Sequence, residues 1–269
     1  MKRLITIFPI CLLLVLVVQP AAAEFGSIEL KETGVAPYKI ITIYATNWPN
    51  GIGVYAGIYR FAYHDNQTPW NDISTWGFCI DLAQYSPSDY VTYVADDLEN
   101  APAPKNTFGS PMGANKADAI RALWGQDFSQ VLTGTASQQA VKAAAFQVAV
   151  WEIIYENFPS SPSDWWDVTS KGTVNTNPGN GVSGFKMTGN SDVATQATQW
   201  LNGLDLTVTG TKESDLKALT NHDATYYYQD YAVQVPSAGT NVNPVPGPAG
   251  VVLGLCGLGL VGWFRKRFV

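Results

Sequence analysis

Both ends of this 269-residue chain are apolar and carry basic residues, and they confine any folded core to the residues between them. Lys2 and Arg3 precede an uncharged, mostly apolar run from Leu4 to Val18, Gln19 and Pro20 break it, and Ala21-Ala22-Ala23 follows. That order predicts a secretory signal peptide over 1–23, cleaved at the small residues after Ala23. The run is short for a full membrane span, which needs about 20 apolar residues. At the other end Val245, Pro246, Gly247 and Pro248 lead through Ala249 into an apolar stretch from Gly250 to Phe264, capped by Arg265, Lys266 and Arg267. A basic cap on such a segment stays on the cytoplasmic side. The expected organisation is a signal peptide over 1–23, a body over 24–235, a Pro/Gly linker with a sorting motif over 236–248, and a transmembrane segment with a basic tail over 249–269. The body then faces outward, with the membrane engaged only through the C-terminal segment.

Composition limits what that body does. It is drawn from a chain that is 46% hydrophobic and 12% aromatic, enough for a sizeable core. Five of the 16 Lys and Arg lie in the two ends and all 22 Asp and Glu lie between them, so the body holds 11 positive against 22 negative charges, a net −11. Such a charge argues against nucleic acid or an anionic lipid surface as partner. The cysteines are Cys11, Cys79 and Cys256. The first belongs to the signal peptide and the last to the membrane segment. Cys79 is left as the one thiol of the body, with no intrachain disulfide partner. In an oxidising compartment such a thiol is buried and inert, paired with another chain, or chemically used.

Along the body, Tyr38–Ala45, Gly51–Tyr63, Trp76–Leu82 and Val91–Ala95 read as strands, being rich in β-branched and aromatic residues. Gly53 and Gly57 mark bulges or close approaches in the second. In the third, alternation sets Trp76, Phe78, Ile80 and Leu82 on one face and Gly77, Cys79 and Asp81 on the other. Helices are expected over Asn115–Trp124, over Ser137–Phe158 with Ser137 as cap and Pro159 as terminator, and over Asp192–Leu204. The Gly- and Asn-rich stretch Pro162–Asn190 reads as a long loop, and Leu206–Thr209 and Ala224–Val235 as closing strands. Strands, then helices, then strands predict an α+β fold: a β-rich body, sandwich or barrel-like, with a helical insertion.

On the long helix, Ala140, Ala143 or Ala144, Gln147, Trp151, Ile154 and Phe158 fall on one stripe, which places a carboxamide on an apolar face. Burying it without partners costs about 1–3 kcal/mol. A hydrogen bond to nearby backbone is the plainest way to meet that cost.

Phe78-Cys79-Ile80 and Phe146-Gln147-Val148-Ala149-Val150-Trp151 together resemble the thioester domains of bacterial surface adhesins. The resemblance runs from about Val54 to Gln229. It implies that the Cys79 sulfur attacks the Gln147 side-chain carbonyl, ammonia leaves, and an internal thioester forms. Phe78, Phe146 and Trp151 would surround it and exclude water. An amine or hydroxyl on a surface protein or polysaccharide would then be acylated by Gln147. The reaction is single-use, so the resemblance implies a covalent binder and not an enzyme. Cys suits the role because its sulfur is both a strong nucleophile and a good leaving group.

The tail from Val245 onward, a Pro-x-Pro motif followed by a Gly/Leu-rich segment and a basic cluster, resembles the PEP-CTERM sorting signal of Gram-negative bacteria. It implies an exosortase-like processing enzyme as partner. Gly247 stands where that family has Glu, so cleavage and permanent anchoring both stay open.

Two other functions fit the residues. A cysteine hydrolase would use Cys79 with His64 or His222 as base. A non-covalent carbohydrate-binding or matrix module would use Trp48, Trp70, Trp165, Trp166 and Tyr226 to Tyr228. No zinc spacing or phosphate loop stands out, and no cofactor is expected. Asp96, Asp97 and Glu99 read as solvated loop charges.

Overall fold

Ile28 and Leu30, then Ile41, Ile43 and Ala45, are buried on alternate positions of one strand, β1 (Ser27–Ala45). This period of two is what a sheet with one covered face selects. β1 starts well before Tyr38 because its first residues pair with two neighbours, whereas sequence alone shows only Ile28 and Leu30 as apolar. The computed structural model describes residues 27–45, 48–64, 76–102, 111–156, 166–169, 184–207, 216–221 and 228–234. The signal peptide, linker, sorting motif and basic tail expected at the two ends lie outside these residues.

β1 pairs antiparallel with β2 (Trp48–Tyr63), and β2 with β3 (Trp76–Cys79). β3 pairs with β7 (Tyr231–Gln234), and β7 with β6 (Leu216–Thr220). β6 pairs with β4 (Val91–Asp97), which returns to β1. These antiparallel pairings close a six-stranded ring, and a closed ring leaves no edge to protect. β5 (Lys186–Thr188) adds to the far part of β1. The β-rich α+β expectation holds, and the closed ring favours its barrel-like form.

Gly57 meets β1 at a close approach: a Cβ there would sit 2.2 Å from the Pro37 carbonyl oxygen, beside the register shift between Val35 and Tyr38. Gly53 faces open space, so only one of the two expected positions is constrained.

The insertion between β4 and β6 carries α1 (Ala114–Val131), α2 (Ala136–Tyr155) and α3 (Ser191–Asn202). Thr135, not Ser137, caps α2. Its side chain accepts from the Gln138 N–H and the Gln138 side chain accepts from the Thr135 N–H, a capping box. The helix ends at Tyr155, and Phe158 and Pro159 lie outside the described residues. α2 is buried on every side from Ala143 to Tyr155, between β1, β2 and β3 on one side and α1 and α3 on the other. The expected single stripe is therefore too narrow: a helix apolar all round is a central one.

Three further expectations change. The stretch read as a loop contains β5. Leu206 and Thr207 form a bend in which the Asp205 carboxylate accepts from the Thr207 N–H and hydroxyl, and a side chain that captures local backbone in this way competes with strand pairing. Asp96 and Asp97 end β4 and do not lie in a loop; Asp97, though exposed, pairs with Lys217, and Glu99 pairs with Arg121 across to α1. Among the described residues no helix is long and apolar enough to cross a membrane.

Candidate functional site

β3 is deeply buried: Gly77, Phe78 and Cys79, and Ile80 just after the strand, are inaccessible or nearly so. Gly77 permits this. A Cβ there would lie 2.6 Å from the Ala232 carbonyl oxygen of β7. Backbone polar groups of alternate strand residues point the same way. The Ile80 N–H donates to the Asp230 carbonyl on the β7 side at 2.9 Å. On the other side, the β2 ladder pairs Trp76 and Gly77 and goes no further. The Cys79 N–H and C=O therefore face a gap between β2 and β3.

Gln147 of α2 fills that gap. The Cys79 N–H donates to Gln147 Oε1 at 2.8 Å, and Gln147 Nε2 donates to the Cys79 carbonyl at 2.8 Å. The carboxamide stands in for the missing strand. Both residues are fully buried. The Cys79 thiol donates to the Asp81 carbonyl at 3.0 Å and accepts from the Asp81 N–H at 3.3 Å. Burial, followed by the Asp81 carboxylate, pushes the thiol pKa well up. The Trp151 indole beside the sulfur opposes this shift. The neutral thiol is the state that this environment selects.

Phe78 and Phe146, the chain neighbours of the pair, meet each other at 4.6 Å between ring centroids. They belong to an aromatic cluster with Trp124, Phe128 and Trp76. Trp151 lies on the sulfur's side, against Phe185. The sequence-selected residues of the body thus converge, with Phe78 and Phe146 packed together and Trp151 next to the thiol. Among Val245, Pro246, Gly247, Pro248, Arg265, Lys266 and Arg267, none lies within the described residues.

Sequence reasoning missed the polar layer around the pair. Gln229 Nε2 donates to the Asp81 carbonyl at 3.0 Å, the same oxygen that takes the Cys79 thiol proton. Ser86 donates to Gln229 Oε1 at 2.8 Å, and the Leu82 N–H donates to the Tyr155 hydroxyl at 2.9 Å. Burial raises the hydroxyls of Tyr59, Tyr155 and Tyr231 well above the ordinary phenol range. Asp81, two residues from Cys79 on the same face of the pattern, was the one available signal for this layer.

No family model, curated protein or solved structure matches this chain. His64 is exposed, pairs with Glu29 at 2.7 Å and packs on Tyr90. His222 lies outside the described residues, as do Trp70, Trp165, Tyr226 and Tyr227. The Trp48 indole N–H donates to the Leu82 carbonyl at 2.8 Å, while Trp166 is half-buried and joined to Asn202 through its backbone. Among the described residues no cluster of three or more His, Cys, Asp and Glu is placed to hold a metal ion.

Proposed function

We propose that the chain is an exported surface protein that binds its target covalently through a Cys79–Gln147 thioester. The observation that carries this reading is the two-way hydrogen bonding of the Gln147 carboxamide to the Cys79 backbone in a fully buried setting. It holds the acyl group against the backbone of the residue that bears the thiol, and such positioning lowers the entropy cost of bringing reactants together.

The chemistry balances within the pair. The sulfur adds to the Gln147 Cδ, a C–S bond forms, the C–N bond breaks, and the thiol proton leaves with the nitrogen as ammonia. Negative charge developing on Oε1 meets the Cys79 N–H that already points at it, a single oxyanion donor worth about 3 kcal/mol in enzymes. The environment penalises a thiolate but not a thiol or a thioester, so burial favours both neutral ends of the reaction. The same burial keeps hydrolytic water away. Attack by an amine or hydroxyl then transfers the Gln147 acyl group and returns the Cys79 thiol. His64 pairs with Glu29 and not with the sulfur, which counts against His64 as the base of a cysteine hydrolase.

Export by a cleaved leader and sorting by an exosortase-like enzyme at the Val245–Pro248 motif belong to the same proposal, and they rest on the sequence of the two ends. A non-covalent matrix or sugar-binding role is the competing reading, carried by the exposed Tyr38, Tyr55 and Tyr85. Methylamine separates the two. The thioester reading expects methylamide at Gln147 in the wild type and none in Cys79→Ala. Label absent from the wild type, or equal in both, overturns it.

A further inference from the structure

A pocket of about 200 Å³ opens between the β1–β2 hairpin and the 82–86 segment. Trp48, Tyr55 and Tyr85 form its sides, with Tyr55 and Tyr85 53% and 71% exposed toward solvent. Its inner wall is Trp151, the residue beside the Cys79 sulfur, together with Gln229. Gln229 and the thiol share one acceptor, the Asp81 carbonyl, each at 3.0 Å, so the pocket wall and the sulfur are two hydrogen bonds apart. Among the described residues lining the pocket, Glu32 alone carries a charge.

We infer that this pocket is the acceptor site of the thioester, and that Glu32 anchors there the ammonium group of an unbranched aliphatic primary amine and takes its proton before attack. The inference rests on the thioester reading. Its chemistry follows from the lining. Aromatic walls accept an alkyl chain and attract a cation across their faces. A half-buried carboxylate pairs with an ammonium through a charge-assisted hydrogen bond, which a neutral hydroxyl does not offer. Glu32 is held in place by its N–H, which donates to the Pro87 carbonyl at 3.3 Å. Burial raises its pKa while Ser86 opposes the shift, which makes it a better base than a surface glutamate. The buried Tyr59 lines the pocket beside Glu32.

The step balances. The alkylammonium gives one proton to the Glu32 carboxylate, and the free amine attacks the Gln147 acyl carbon. A C–N bond forms and the C–S bond breaks. The second nitrogen proton passes to the departing sulfur, which becomes the Cys79 thiol, and Glu32 releases its proton to solvent at the mouth.

The test follows adduct formation by mass on the purified full chain, with n-butylamine as the cationic probe and hydroxylamine as a nucleophile that is neutral at pH 7. In Glu32→Gln the butylamine rate at low concentration is expected to fall at least about tenfold, the scale of one charge-assisted contact. The hydroxylamine rate is expected to stay within about twofold of wild type, which also reports an intact thioester. Glu32→Asp is expected to recover part of the butylamine rate. Equal slowing of both probes, or an unchanged butylamine rate, overturns the Glu32 assignment and leaves the thioester standing. A wild type inert to both probes overturns the thioester, and the acceptor site with it.

Discussion

At the scale of single residues, Cys79 and Gln147 have separable roles. Gln147 satisfies two backbone groups that β2 leaves unpaired, each at 2.8 Å, whereas the Cys79 sulfur accepts from one, the Asp81 N–H, at a longer 3.3 Å. Gln147→Ala is therefore expected to cost about 2–5 kcal/mol, because it orphans a buried donor and a buried acceptor. Cys79→Ala is expected to cost about 1–2 kcal/mol, the loss of one buried sulfur. Urea denaturation of the two variants checks the order, and equal costs would mean that the carboxamide is not holding the strand. The Cys79 and Gln147 pairing was legible because each residue broke a pattern: a thiol without a disulfide partner, and an amide on an apolar helix. Gln229 and Glu32 were not legible. A Gln among tyrosines before a strand, and a Glu on a strand whose first half looked polar, break no local rule, and only the closed ring brings them to the site.

At the scale of elements, α2 and β3 set the geometry. Gly77→Ala would drive a Cβ against the Ala232 carbonyl and part β3 from β7, with an expected loss of about 1–3 kcal/mol and slower thioester formation, read by denaturation and adduct rate. The far end of α2 gives a pH dependence. Glu152 is buried, its Oε2 has no hydrogen bond, and burial followed by Glu156 and Asp167 holds its pKa well above the carboxylate range. Below about pH 4.3, the unfolded value for Glu, both states keep the proton. Above it only the unfolded chain ionises, so this group costs about 1.4 kcal/mol of stability per pH unit until its folded pKa is reached. Glu152→Gln is expected to flatten the fall in stability between about pH 4 and about pH 6, leaving a smaller slope from Asp127, raised to about 6, and from Glu32. An unchanged slope would show that Glu152 is ionised in the fold. The helix itself was readable from its apolar run. Its cap was not placed correctly, because Ser137 and Thr135 are equally good cap residues and only the Gln138 reciprocity chooses Thr135.

For the whole molecule, the first four strands, the three helices and the last strand were readable from periodicity, but β5, β6 and ring closure were not. β6 is a short Leu-Lys-Ala-Leu-Thr segment with no β-branched run, and it becomes a strand because β4 and β7 flank it. That closure, together with α2 packed against β3, buries the strand on both faces and makes a place where a thioester would outlast water. The central claim is the bond itself, and intact mass tests it most directly. Wild type and Cys79→Ala, prepared alike and never exposed to amines, share whatever processing their ends undergo. With the thioester, the wild type is heavier than the variant by one sulfur atom less one ammonia. A difference of one whole sulfur atom would contradict the account.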